Sequence, residues 1–265
     1  MTEEAAGLFA GKNLRADLFQ RGHGRLLVTF DFRTPGRSGF RPLSPSNRFA
    51  TAGFDQLVVR SAANDWFINA DTEALEDALR GAAARYGRVQ ALGYSMGGYG
   101  ALRFAKALGL QGVVAVSPQA TLDPAIVPWE TRYKAEVKGF DPDLGALGSR
   151  GMADLAGIIV VDPFKRLDMA HAGLIQEAFP GLTLARVPFG GHPATRALRQ
   201  AGKAWIVQRE ALSDTPRATE IVAMHRRHRR EAPIYWDGLS KRAGDRRPAL
   251  AASAREMAEK LAATA

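Results

Sequence analysis

Five residues, Gly93-Tyr94-Ser95-Met96-Gly97, place one hydroxyl between two positions that carry no side chain. They follow the apolar run Val89–Leu92 and precede a helix-forming stretch from Ala101 to Leu110. A serine at the sharp corner between a strand and a helix needs small neighbours, because side chains flanking it would collide across the turn. Such a corner holds the serine in a strained backbone conformation and pushes its hydroxyl out beyond the strand. The helix that follows aims free N–H groups and the positive end of its dipole at the same point. The chemistry this suits is attack on a carbonyl, with the resulting oxyanion received by backbone N–H groups.

Serine is a weak nucleophile without a base. The chain has five histidines: His23, His171, His192, His225 and His228. Reacting groups of an open parallel sheet gather beyond the carboxyl ends of its strands. Only His192 directly follows such an end, in Pro188-Phe189-Gly190-Gly191-His192-Pro193, where two glycines let the loop swing. His23 precedes a strand, His171 falls within a helix, and His225 and His228 belong to an Arg-rich tail. The base needs an acid to orient it. Asp162 ends the run Gly157–Val161 and is followed by Pro163, so it is the expected partner; its other reading is a cap for the helix starting near Arg166. Asp168 ranks behind it because it falls inside that helix, and Asp141 and Asp143 lie further back in an irregular segment. Nucleophile, acid and base then occur in the order Ser95, Asp162, His192.

The elements that must position these residues alternate along the chain. Arg25–Asp31 (RLLVTFD), Gln56–Arg60, Val89–Leu92, Gly112–Ser117, Gly157–Val161 and Leu182–Pro188 read as strands. Thr72–Tyr86, capped by Asp71 or Asn69, Arg166–Phe179 and Ala194–Ala211 read as helices. This alternation implies an α/β fold with a mainly parallel sheet and right-handed crossovers. Asn13–Phe19 alternates weakly and is expected to pair with the next run across Gly22-His23-Gly24. Residues 1–212 form the expected body, interrupted at 117–150 by a Pro- and Gly-containing insertion placed where a lid can grow. Residues 213–265 form a basic helical extension, read as a hairpin that docks on the body, on a protein partner or on a second copy.

The Gly-Tyr-Ser-Met-Gly-Gly corner, the Val-Val-Asp-Pro strand end and the Gly-Gly-His loop together resemble the α/β-hydrolase superfamily, in a short, serine-esterase-like form spanning residues 25 to about 212. The resemblance implies a Ser95–His192–Asp162 triad and an oxyanion hole built from two backbone N–H groups, that of Met96 and one from the loop after the first strong strand, assigned to Phe32. The family's His-Gly pair is replaced in that loop by Asp31-Phe32-Arg33-Thr34. Little chain precedes Arg25, so one or two antiparallel edge strands of larger members are expected to be missing. The implied activity is cleavage of a carboxylic ester or thioester through an acyl-enzyme. An acyltransferase with the same triad, or a non-catalytic protein that binds partners through its basic tail, remain as alternatives.

Composition narrows the setting. The chain has 265 residues, 46% of them hydrophobic, and no cysteine, which excludes disulfides and thiolate chemistry. Its N-terminus lacks an apolar signal core and no run approaches a membrane span, so a cytoplasmic location is expected. The net charge of +9 suits acidic partners, but no nucleic-acid motif accompanies it and no specific nucleic-acid role is expected. Neither a metal nor a cofactor is expected, because no ligand spacing or phosphate-cradling glycine loop occurs. Tyr94, Trp129 and Tyr133 are candidates to contact a small ester or acyl substrate, with packing as the other reading of each. Asn64-Asp65-Trp66 reads as a turn with an aromatic anchor, and Arg33, Arg37 and Arg41 make the first loop basic.

Overall fold

Strands that are apolar on both faces must be covered on both faces, and the central runs of this chain are of that kind. In the computed structural model, which describes residues 5–263, they form one eight-stranded sheet in the order β1-β2-β4-β3-β5-β6-β7-β8. The strands are β1 (Ala6–Ala10), β2 (Leu14–Phe19), β3 (Arg25–Phe30), β4 (Asp55–Ser61), β5 (Arg88–Tyr94), β6 (Gly112–Val116), β7 (Gly157–Val161) and β8 (Leu182–Arg186). All neighbours from β4 through β8 are parallel, whereas β1 and β2 are antiparallel.

The helices are α1 (Asn47–Thr51), α2 (Thr72–Ala83), α3 (Met96–Arg103), α4 (Ala105–Leu108), α5 (Lys134–Val137), α6 (Leu147–Arg150), α7 (Arg166–Ala178), α8 (Arg196–Gln200), α9 (Trp205–Ala211), α10 (Ala218–His228), α11 (Pro233–Ala243) and α12 (Pro248–Ala263). Alternate strand residues face opposite layers. Val28, Ala91, Val113 and Ile159 pack with Leu75 and Leu79 of α2, Leu102 of α3 and Ile175 of α7. Leu27, Leu92, Val114, Ile158 and Val160 pack on the other side with Ile206 and Val207 of α9 and Ile221 of α10.

Three features differ from the expectations above. β2 pairs with β4, from Leu14↔Ser61 to Phe19↔Gln56, and not with β3. Both edges of β3 are taken by its parallel neighbours β4 and β5, so the preceding run can only join the far side of β4. The antiparallel edge strands are present, because strands of five and six residues fit in the short stretch before Arg25. The closing helix is split into α8 and α9 at Gly202, whose φ of 68° stops a right-handed helix.

Beyond residue 212 the chain keeps contributing to the sheet's cover. Ala218 and Ile221 of α10 are buried in the same cluster as Ile158, Val160 and Ala185. α11 and α12 then pair as a hairpin, in which α12 buries only Ala251 and Ala254. A chain ending after Leu212 is therefore expected to lose cooperative unfolding and bind a hydrophobic dye, whereas one ending after Arg247 melts cooperatively. Equal melting behaviour of both would separate the tail from the body.

α10 also carries His225, whose Nε2 donates to the Pro188 carbonyl at 2.9 Å. Burial and then the nearby Arg229 push its pKa down to about 4, although the carbonyl opposes this. The unfolded chain protonates this histidine from about pH 6.5, the folded chain only near 4, so its contribution to stability is present at neutral pH and lost as pH falls through that window. Chemical denaturation is expected to show a loss of up to about 3 kcal/mol from this group between those limits. His225→Gln, which keeps a donor but cannot titrate, should shrink that loss.

Candidate active site

Ser95 sits between β5 and α3 with φ 50° and ψ −120°. Its neighbours explain how so sharp a corner closes. A Cβ at Gly97 would stand 2.6 and 2.7 Å from the carbonyl oxygens of Phe30 and Asp31, and a Cβ at Gly93 would overlap the backbone of Gly97. The corner is thus pressed against the end of β3 and the start of its loop. Oγ of Ser95 lies 3.3 Å from Nε2 of His192. It also lies 3.5 Å from Oε1 of Gln119.

His192 is held from the other side by Asp168. Its Nδ1 lies 2.7 Å from Oδ2 of Asp168, a carboxylate with no exposed side-chain surface. If Nδ1 carries the proton, Nε2 is left as an acceptor facing the serine hydroxyl. Asp168 stands in the first turn of α7, the helix that begins just past the end of β7. Burial opposes its ionisation, but hydrogen bonds and charge from His192 and Arg132 outweigh that and hold its pKa below the usual carboxylate range.

The structure does not bring Asp162 to His192. Oδ1 of Asp162 accepts the N–H groups of Phe164 and Phe189, at 2.9 and 3.1 Å, and Oδ2 accepts that of Gly191 at 3.0 Å. Its carboxylate accepts three backbone donors and ties the Pro188–Pro193 loop to the end of β7. The expected triad acid is replaced in the geometry by Asp168, six residues on, because the first turn of α7 reaches the same rim of the sheet.

Asp168 is not isolated. Its Oδ1 accepts from Nη1 of Arg132 at 2.6 Å. Arg132 also grips Glu130, with Nε 3.0 Å from Oε1 and Nη2 2.6 Å from Oε2. Glu130 in turn lies 2.9 Å from Nε2 of buried His171, whose Nδ1 accepts the Ala120 N–H at 3.1 Å. That backbone donor assigns His171 as neutral with its proton on Nε2. Burial disfavours the Glu130 carboxylate, but His171 and Arg132 more than compensate and bring its pKa down to about 2. Glu130, Arg132 and Tyr133 all come from the 117–150 insertion, which therefore forms part of the wall of the site.

Of the two residues named for the oxyanion hole, Met96 begins α3 and is buried, with its N–H among those a helix start leaves free. Phe32 follows β3, is 42% exposed, and faces the cavity that holds Ser95. Its loop is clamped by Arg37, which donates to Asp31 at 3.0 Å, to the Ser61 carbonyl at 2.7 Å and to the Phe32 carbonyl at 2.6 Å. Arg37 and Arg41, the latter stacked 4.2 Å over the Phe32 ring, serve this loop. The cavity measures about 550 Å³ and includes Tyr94, Tyr133, Pro193 and Thr195 in its wall. Trp129 lies outside it, packed edge-on against the His171 ring at 4.7 Å. Trp66 is fully buried, touches the Tyr133 ring at 4.8 Å, and donates its indole N–H to Gln119 at 3.2 Å.

Gln119, Glu130, Arg132 and His171 join the site although their positions along the chain do not single them out. Gln119 carries a signal, being three residues past the end of β6 and so at the productive rim. Glu130 and Arg132 carry none, since their segment lacks periodicity.

No family model matches this chain, and no curated protein matches its sequence. Solved structures do match in shape. A variant of the capsule O-acetyltransferase of Neisseria meningitidis serogroup A, in complex with CoA, is 14% identical, covers 77% of this chain and 95% of its own, and has a TM-score of 0.53. A candidate thioesterase from Silicibacter sp. is 16% identical, covers 84% of each chain, and also has a TM-score of 0.53. Identities this low speak for architecture alone, and that architecture is the α/β-hydrolase fold.

Proposed function

We propose that this protein is a serine-dependent acyl-transfer enzyme that cleaves a carboxylic ester or thioester, with Ser95 as nucleophile, His192 as base and Asp168 as the acid that orients the base. The observation that carries this reading is the unbroken run of contacts from the strained serine, 3.3 Å to His192 and 2.7 Å on to Asp168. The first contact is slightly longer than a working nucleophile–base bond, as is common before substrate binds. Ser95 attacks the carbonyl carbon as His192 takes its proton. The negative oxygen falls to the N–H of Met96 and to one from the Phe32 loop, each donor of this kind being worth about a hundred- to a thousandfold in rate. His192 then hands the proton to the departing alcohol or thiol, leaving the acyl group on Ser95. Water attacks the acyl-enzyme next, deprotonated by His192, and the bond from the acyl carbon to Oγ of Ser95 breaks as His192 returns the proton to that oxygen and the acid leaves.

Transfer of the acyl group to an alcohol instead of water is the second reading, and the overlap with an O-acetyltransferase favours keeping it. An added alcohol acceptor separates the two: a transferase forms the new ester at the expense of free acid, whereas a hydrolase continues to release acid.

A fluorophosphonate probe is expected to label the protein at Ser95, with labelling lost in Ser95→Ala and strongly slowed in His192→Ala. Absence of labelling together with no turnover of p-nitrophenyl acetate would sink the enzymatic reading. Asp168→Asn should lower kcat by about a thousand- to ten-thousandfold, because the amide favours the wrong imidazole tautomer. Asp162→Ala leaves backbone N–H groups buried without acceptors and should lower stability by about 2–4 kcal/mol. A folded Asp168→Asn enzyme of undiminished kcat would remove Asp168 from the triad.

A further inference from the structure

Three arginines, Arg33, Arg196 and Arg199, stand in the wall of the cavity that holds Ser95 and His192, and no aspartate or glutamate shares that wall. Arg33 is spoken for, since its Nε lies 2.7 Å from Glu136. Arg196 and Arg199 differ from the other arginines near the site. Arg37, Arg103 and Arg132 each hold a carboxylate. Arg196 and Arg199 are exposed, and neither guanidinium pairs with a carboxylate among the described residues. They lie three positions apart on α8, so they share a face of the helix. Two like charges held side by side repel each other unless an anion lies between them. Arg196 also borders a neighbouring cavity of about 420 Å³ with Lys165 and Arg242. Of the acids in that second wall, Asp237 is paired with Lys241 at 2.7 Å, which leaves Asp162 as the one negative charge against Lys165, Arg196 and Arg242. Net positive charge therefore runs from the mouth of the first cavity into the second.

Direction follows from the proposed chemistry, on which this step rests. His192 gives its proton to the leaving group, so the alcohol or thiol departs on the His192 side. α8 begins four residues after His192 and stands on that side. We propose that Arg196 and Arg199 form an anion subsite for the alcohol or thiol portion of the substrate, which carries a phosphate or a carboxylate. A guanidinium pair matches either group through forked N–H donors, and phosphate offers one more acceptor oxygen than carboxylate. The charges are open to solvent, so their pull weakens as salt is added.

The test compares phenyl acetate with its para-carboxylate, 4-acetoxybenzoate, and its para-phosphate, 4-acetoxyphenyl phosphate, which place the charge on the leaving group. The ratio of kcat/KM for each charged ester to that for the neutral one is expected to fall by about tenfold or more in the double variant Arg196→Gln/Arg199→Gln, and to fall with added salt in the unaltered enzyme. The larger of the two ratios identifies which anion the subsite takes. A ratio that the double variant leaves unchanged overturns the proposal. Binding is read separately by calorimetry on Ser95→Ala with 4-hydroxybenzoate and 4-hydroxyphenyl phosphate. Binding that the two Arg→Gln changes abolish keeps the subsite even where no ester is turned over, in which case only the acyl-transfer reading fails. No turnover and no such binding overturns both.

Discussion

A carboxylate taken fully out of water must be paired, and the pairing of Asp168 organises this site. Its two oxygens face different partners, His192 at 2.7 Å and Arg132 at 2.6 Å. An unpaired carboxylate in that position would cost several kcal/mol or take up a proton. The two partners answer different needs. Arg132 supplies a permanent positive charge, while His192 supplies a hydrogen bond whose strength depends on its own protonation. Counting the buried charges, Asp168 and Glu130 contribute two negatives against the single positive of Arg132, with His171 neutral. The group is one negative charge in excess while His192 is neutral, and balanced once it becomes an imidazolium. The fixed charges therefore favour the imidazolium that the proposed mechanism requires of His192, without having to reorganise.

Two aspartates near one rim of the sheet divide the work of placing His192. Asp162 fixes where the loop runs, through the N–H groups of Phe189 and Gly191. Asp168 fixes how the ring turns, through Nδ1. All three of the Asp162 contacts go to backbone N–H groups, and the imidazole is left to Asp168.

This division also explains what could be read from residue order and what could not. The serine corner was legible because its demands are local: a strand, a helix and glycines where a Cβ at Gly97 would strike Phe30 and Asp31. His192 was legible because five histidines offered only one at a strand's carboxyl end. Asp162 met the same criterion as His192 and still does not bind it, since position at a strand end says which rim a residue occupies but not what its side chain meets there. Asp168 lies inside a helix and so ranks behind a strand end by residue order, yet the first turn of a helix that starts at the rim remains at the rim. The β2 pairing escapes residue order for a related reason: turn residues at Gly22-His23-Gly24 suggest a hairpin, but β3 already has partners on both edges. Local signals say that a strand exists; competition for edges across the whole sheet decides whom it pairs with.

The 117–150 insertion shows the limit most clearly, because its contribution is tertiary throughout. It contains only two four-residue helices and no strand. Yet it delivers Arg132 to Asp168, Tyr133 to the serine side of the cavity, and Phe140 to the ring of Tyr99 behind the serine at 6.1 Å. A segment that only covered an entrance could detach and leave the Ser95–His192–Asp168 contacts standing. This one supplies the counter-charge for the buried acid, so moving it away would expose Asp168 or strip it of its guanidinium. Access to Ser95 must then come from elsewhere, and the remaining wall is the one formed by Phe32, Pro193 and α8, the side on which the unpaired arginines stand.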